Sequence, residues 1–128
     1  MITLICWILA AIFNAAMDVV AYKYDSSIFR KINKHKYYDK RISWRNKYID
    51  GFPHNGRTYW SIGKFKIIKY DAFTDAWHLF KSLMIICLAI SIVTYQYDNP
   101  AISLIQFCIL FFVWIKVFNL FYKKILRI

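Results

Sequence analysis

The stretch FTDAWHLFKSLMIICLAISIVTY, residues 73–95, decides the fold class. Its first turns carry Asp75, His78 and Lys81; from Ser82 onward it has no charge. A bilayer's hydrocarbon core takes about 20 apolar residues per helical span. Residues 2–21 and 101–122 read the same way, with Lys116 their only basic residue. The chain is therefore expected to be an all-α membrane protein with three transmembrane helices, forming one polytopic domain over residues 1–128.

Charge is sorted between these spans. Of 18 Lys and Arg, 13 lie between Lys23 and Lys69, and Lys123, Lys124 and Arg127 follow the last span. By the positive-inside rule the segment 23–70 and the C-terminus are cytoplasmic and the N-terminus is outside. The expected location is a bacterial inner membrane. No Lys or Arg precedes the first span and dense positive charge follows it, the reverse of a secretory signal, so a retained anchor is expected.

Composition agrees. The chain is 59% hydrophobic and 20% aromatic, more apolar surface than so small a soluble domain can bury. Its net charge is +11. Anionic lipid headgroups account for that more simply than nucleic acid, since each basic residue near the surface contributes about 1 kcal/mol. Cys6, Cys87 and Cys108 fall inside apolar stretches without metal-type spacing and read as small core residues.

The basic, aromatic-rich segment 23–70 is too long for a bare connection. Ser26 and Ser27 are placed to cap a short basic helix over residues 28–36. Residues 50–56 carry turn chemistry. Residues 58–69 alternate loosely, as a short strand or an extended surface segment does. Trp44, Tyr48, Phe52, Tyr59 and Trp60 imply that the segment packs on the bundle mouth or the lipid surface. Residues 95–100 form a turn into the third span, with Asn99-Pro100 at its end.

Charges in spanning helices are functional hypotheses by default. Asn14, Asp18 and Asp25 fall on one stripe of the first helix, together with Ala11 and Ala21. Asp71, Asp75, His78 and Ser82 follow the i, i+4, i+7, i+11 spacing of one helical face. The topology brings Asn14, Asp18, Asp75 and His78 to one cytoplasmic depth beneath the basic segment. Asp71 and Lys81 complete this polar cluster. Asp18, Asp75 and His78 are candidate ligands for a divalent metal, because Asp oxygen and His nitrogen suit zinc or manganese. The same three are candidate catalytic groups, through metal-bound water or with His78 as a general base. Trp44, Arg45, Asn46 and Lys47 are candidates for holding an anionic headgroup, Arg by its bidentate geometry. A structural reading stands beside these: Asp71 and Asp75 suit a helix N-terminus, and Asp18 and Asp25 can pin the basic loop. Lys116 can snorkel to the headgroups.

The segments Phe13-Asn14-Ala15-Ala16-Met17-Asp18, Ile42-Ser43-Trp44-Arg45-Asn46-Lys47-Tyr48 and Thr74-Asp75-Ala76-Trp77-His78-Leu79-Phe80-Lys81 together resemble small uncharacterised membrane proteins of Bacteroidetes bacteria and their phages. The resemblance spans roughly residues 13–85 and implies that the three segments act as one unit. It implies no activity.

Three functions remain open at this point. The leading one is a non-enzymatic integral membrane protein, oligomeric if it conducts ions or acts like a holin. The second is a membrane-embedded, metal-dependent enzyme acting on a lipid-like substrate at the cytoplasmic interface. The third is a nucleic-acid or partner tether.

Overall fold

The computed structural model describes residues 1–97 and 99–128. Three helices are long and apolar enough to cross a membrane. In chain order, α1 spans Ile2–Tyr22, and short helical turns α2 (Ile28–Lys31), α3 (His35–Tyr38) and α4 (Lys40–Ser43) follow. Strands β1 (Tyr59–Ile62) and β2 (Phe65–Ile68) form an antiparallel hairpin. The long helices α5 (Ala76–Thr94) and α6 (Pro100–Leu120) complete the chain.

Small residues set the main packing. Ala10, Ala11, Ala15 and Ala16 are buried on α1, where they let α5 approach closely. At one end Thr3 Oγ1 donates to the Thr94 carbonyl at 2.9 Å, and Ser91 Oγ donates to the Thr3 carbonyl at 3.0 Å. Trp7 ties α6 to α1: its Nε1 donates to the Leu110 carbonyl at 2.7 Å, and its ring meets Trp114 edge-on. No residue of α6 is buried, so its apolar surface suits contact with lipid.

The other end holds the basic segment, called the cap below. There the C-terminal residues strap onto the exit of α1. Ile28 N donates to the Leu126 carbonyl at 3.1 Å, and Ile128 N donates to the Ser26 carbonyl at 2.9 Å. Val19, Val20, Tyr24, Phe29, Ala76 and Leu126 share one buried cluster there.

The helix boundaries follow from their caps. α5 begins at Ala76 and not at residue 73, because Asp75 is extended and accepts the His78 N–H. A 3₁₀ turn, Asp71–Phe73, precedes it. Asn99 caps α6 by accepting from Ala101 N, and Pro100 occupies the first turn as expected. The rest of the expected 95–100 turn includes Asp98, which lies outside the described residues. Beyond Leu120 the helix widens into a π-turn, Phe121–Ile125.

The cap departs from expectation at its start. The helix expected over 28–36 is broken into α2 and α3, with Asn33 at φ 56° between them. Ser27 does not cap it; its hydroxyl donates back to the Tyr24 carbonyl at 2.7 Å. The turn region does form, with Asp50, Gly51 and Gly56 all at positive φ. It is closed by Ile49 N donating to the Gly56 carbonyl and Thr58 N to the Lys47 carbonyl. Residues 58–69 resolve into the hairpin.

Candidate functional site

Asp75 anchors the polar site. It is 2% exposed. Its Oδ1 accepts the His78 backbone N–H at 3.0 Å, and its Oδ2 lies 2.7 Å from His78 Nδ1. That contact places a proton on Nδ1, because a carboxylate offers only acceptors. The other ring nitrogen, Nε2, faces Asp71 Oδ2 at 3.6 Å. Asp71 in turn accepts a hydrogen bond from the Arg57 guanidinium. Arg57 is held by its bridge to Tyr48 at the base of the 49–56 loop. The result is a chain of groups, Arg57–Asp71–His78–Asp75, running from the cap into the first turn of α5.

Two further hydrogen-bonding side chains fasten the cap to the same place. Asn46 Nδ2 donates to the Lys36 carbonyl at 2.5 Å and the Thr74 carbonyl at 2.9 Å. Tyr37 OH donates to the Ala72 carbonyl at 3.1 Å. A second fastening lies at the exit of α1. Arg41 reaches both Asp25 oxygens at 3.0 Å and both oxygens of buried Asp39. Those bonds hold the Asp39 carboxyl below its ordinary pKa. Burial, and then the Asp39 charge, push the Tyr24 phenol up; its OH lies 2.5 Å from His35 Nδ1.

The four expected cluster residues divide into separate environments. α1 and α5 do meet at the expected depth: Phe13 stacks on Phe80, and Val19 and Ala76 share one packed cluster. But Asp18 makes no hydrogen bond or ion pair among the described residues. The charge it feels is that of Lys40. Lys40 Nζ sits 4.2 Å from the Trp77 ring centroid, and Lys81 Nζ sits 4.9 Å from the same centroid. Asn14 is half-buried on α1, without a hydrogen bond to Asp75 or His78 among the described residues. Asp25 is beyond the end of α1, where it pairs with Arg41 as the pinning reading expected. Asp71 is not on α5, yet it still reaches His78.

This geometry lends the metal reading no support. Among the described residues, no group of three or more His, Cys, Asp or Glu side chains is placed to hold a metal ion. The donor set explains why. Both Asp75 oxygens face His78 nitrogens, Asp71 faces a guanidinium, and Asp18 is in no ion pair with either among the described residues. The catalytic reading fares little better. The Asp75–His78 pair has the orientation of a carboxylate and a general base, but no hydroxyl or thiol bonds His78 among the described residues. The nearest serine along that face, Ser82, pairs with Tyr70 OH at 3.1 Å.

The expected headgroup residues also differ in role. Asn46 spends both N–H groups on carbonyls and retains only an acceptor oxygen, which does not attract an anion. Trp44 Nε1 donates to the Arg41 carbonyl. The Arg45 guanidinium rests over the Trp44 ring at 5.5 Å, and Lys47 Nζ over the Tyr48 ring at 5.5 Å. With Lys66 over Tyr59, Lys40, Arg45, Lys47, Lys66 and Lys81 form a set of ring-stacked cations. None of the five forms an ion pair among the described residues.

Two clefts lie at the opposite end of the bundle. One, of about 540 Å³, is lined by Thr3, Trp7, Ser91, Tyr95, Ser103 and Phe107 among others. The other runs past Met1, Thr94 and Gln106. Neither includes a residue of the Arg57–Asp71–His78–Asp75 chain.

No protein-family model, no curated protein and no solved structure matches this chain.

Proposed function

We propose that this is a non-enzymatic integral membrane protein whose cap is a folded, cationic platform for anionic lipid headgroups on the cytoplasmic leaflet. One observation carries the reading. Asp25, Asp39, Asp71 and Asp75 are all paired with Arg or His, while Lys40, Arg45, Lys47, Lys66 and Lys81 form no ion pair among the described residues, Asp18 bringing only its charge to Lys40. Cations over aromatic rings retain their charge toward solvent, and aromatic residues suit the headgroup layer. The attraction to anionic lipid then follows from charge alone. Trp77, with Lys40 and Lys81 on its ring, is the best-formed headgroup position. The positive-inside rule places this face in the cytoplasm.

The test is lipid selectivity of the full chain. Protein released from nanodiscs of mixed phosphatidylcholine and phosphatidylglycerol is weighed by native mass spectrometry. The expected result is retained phosphatidylglycerol in excess of its share of the bilayer. A Lys40→Gln/Lys81→Gln double variant should lose most of that excess. Retention in proportion to bilayer composition would falsify the reading.

A second reading, self-association, is favoured by one observation: the absence of any buried residue on α6. The mass of the protein–nanodisc complex at low loading tests it. A single mass step of one chain counts against it.

A further inference from the structure

The β1–β2 hairpin has one wholly apolar face. Its register pairs Trp60 with Ile67 and Ile62 with Phe65. Successive strand residues point to opposite sides, and cross-strand partners to the same side. Trp60, Ile62, Phe65 and Ile67 therefore share one face. All four are exposed, Phe65 to 76% and Ile62 to 63%. The other face is mixed: it carries Ser61 and Lys66 together with Tyr59 and exposed Ile68, the Lys66 ammonium lying 4.7 Å from the Tyr59 ring centroid. Lys64 sits in the two-residue turn after Gly63, whose φ of 59° the tight turn requires.

A lone two-stranded hairpin is marginal in water, and a contiguous apolar face on it marks a contact surface. What covers that face is indicated by its surroundings. Trp60 meets Phe73 edge-on at 5.3 Å. Phe73 is itself 66% exposed and lies in the turn that leads into α5. The apolar face thus continues to the point where the chain enters a candidate membrane span. Lys64 in the turn, Lys66 on the opposite face and Lys69 just after β2 put positive charge on the same hairpin, which complements an anionic leaflet.

We propose that the hairpin lies in the interfacial layer of the leaflet beside α5. Trp60, Ile62, Phe65 and Ile67 face the acyl chains, and Lys64 and Lys66 meet anionic headgroups. The cap is then wedged into the membrane as well as resting on it. This inference builds on the proposed lipid-facing role of the cap.

The test uses the full chain in phosphatidylcholine–phosphatidylglycerol nanodiscs, in a background of Cys6→Ser, Cys87→Ala and Cys108→Ser. An environment-sensitive nitrobenzoxadiazole label is attached at Phe65→Cys, at Ile62→Cys or at Ser61→Cys. Labels at 62 and 65 should emit at shorter wavelength, be quenched by lipids carrying a shallow nitroxide, and resist aqueous iodide. The label at 61 should be quenched by iodide several-fold more. Equal iodide quenching at 61, 62 and 65 overturns the proposal. So does a position 65 shielded from iodide but untouched by nitroxide lipid, which would mean that protein covers the face. The two apolar positions guard against a single variant that misfolds. Phosphatidylglycerol enrichment measured on the same samples separates the two readings. Enrichment with an iodide-accessible position 65 sinks the hairpin assignment alone, whereas a lipid-quenched position 65 without enrichment sinks the parent reading alone.

Discussion

Asp75 and His78 are joined twice, backbone N–H to Oδ1 at 3.0 Å and ring Nδ1 to Oδ2 at 2.7 Å. One side chain thus starts α5 and orients the imidazole that faces the cap's Arg57–Asp71 pair. Asp75→Ala should cost about 2 kcal/mol, the sum of a lost helix cap and an orphaned, partly buried ring N–H. Asp75→Asn keeps a capping oxygen and should cost roughly half as much, since Asn and Asp cap comparably. Thermal unfolding in detergent, followed by aromatic circular dichroism, ranks the two. Equal losses would mean that the helix cap contributes nothing, and an Asp75→Asn variant as stable as the parent would mean that the ring contact contributes nothing.

Asn46 is the fastening with least redundancy. It supplies two N–H donors to carbonyls 38 residues apart in sequence, at positions 36 and 74. Asn46→Ala should destabilise cap docking by about 1–2 kcal/mol, because Thr74 is buried and its carbonyl loses a donor. Asn46→Asp should be worse, because a carboxylate has no proton to give. Faster trypsin cleavage after Lys36 and Lys40, with α5 intact, is the expected readout. Unchanged cleavage in both variants refutes this role.

The cap should loosen at both extremes of pH. Asp39 is held below its ordinary pKa by Arg41, so its contribution is present above the ordinary carboxylate range and is lost as pH falls through the depressed value. Tyr24 is raised, chiefly by burial, so its contribution is present below the ordinary phenol range and is lost as pH rises through the elevated value. Arg41 is largely exposed, so salt should weaken the acid-side effect. An Arg41→Gln variant should move the acid transition toward neutral pH. An acid transition insensitive to that change would assign it to other groups.

Chelation should leave the protein unaltered. Both Asp75 oxygens and Asp71 Oδ1 already face hydrogen-bond donors, so treatment with EDTA should not shift the melting transition. A fall in melting temperature that zinc or manganese restores would reinstate a metal site.

The three long apolar helices were legible because about 20 apolar residues in a row is the length and composition of a helix able to cross a membrane. The caps of α5 and α6 were readable in part: Asn99-Pro100 carries its own start signal, while Asp75 suits both a helix N-terminus and a metal ligand, and only the structure shows it capping. Spacing placed Asp71, Asp75 and His78 together correctly, although Asp71 reaches His78 from a turn and not from the helix. The same reasoning failed for Asp18. Depth follows from topology, but rotation about the helix axis does not, and Asp18 makes no hydrogen bond or ion pair with His78 among the described residues. Asn33 broke the expected 28–36 helix by adopting positive φ, a conformation that asparagine tolerates but does not announce. The strap of the C-terminus onto residues 26–28 and the bonds of Asn46 are long-range pairings with no local signature. The apolar face of the hairpin was hidden because Tyr59 and Ile68 blur the alternation until the register is known.

The proposed role requires the cap to be a folded body held on the bundle and not a charged tail. Hydrogen–deuterium exchange of the full chain in nanodiscs tests this most directly. Amides of Ile28, Ile49, Thr58, Lys69 and Ile128, each bonded to a carbonyl within the cap, its strap or the hairpin, should exchange far more slowly than an unstructured chain. Exchange at those positions at unstructured rates, with α1 and α5 protected, would contradict it.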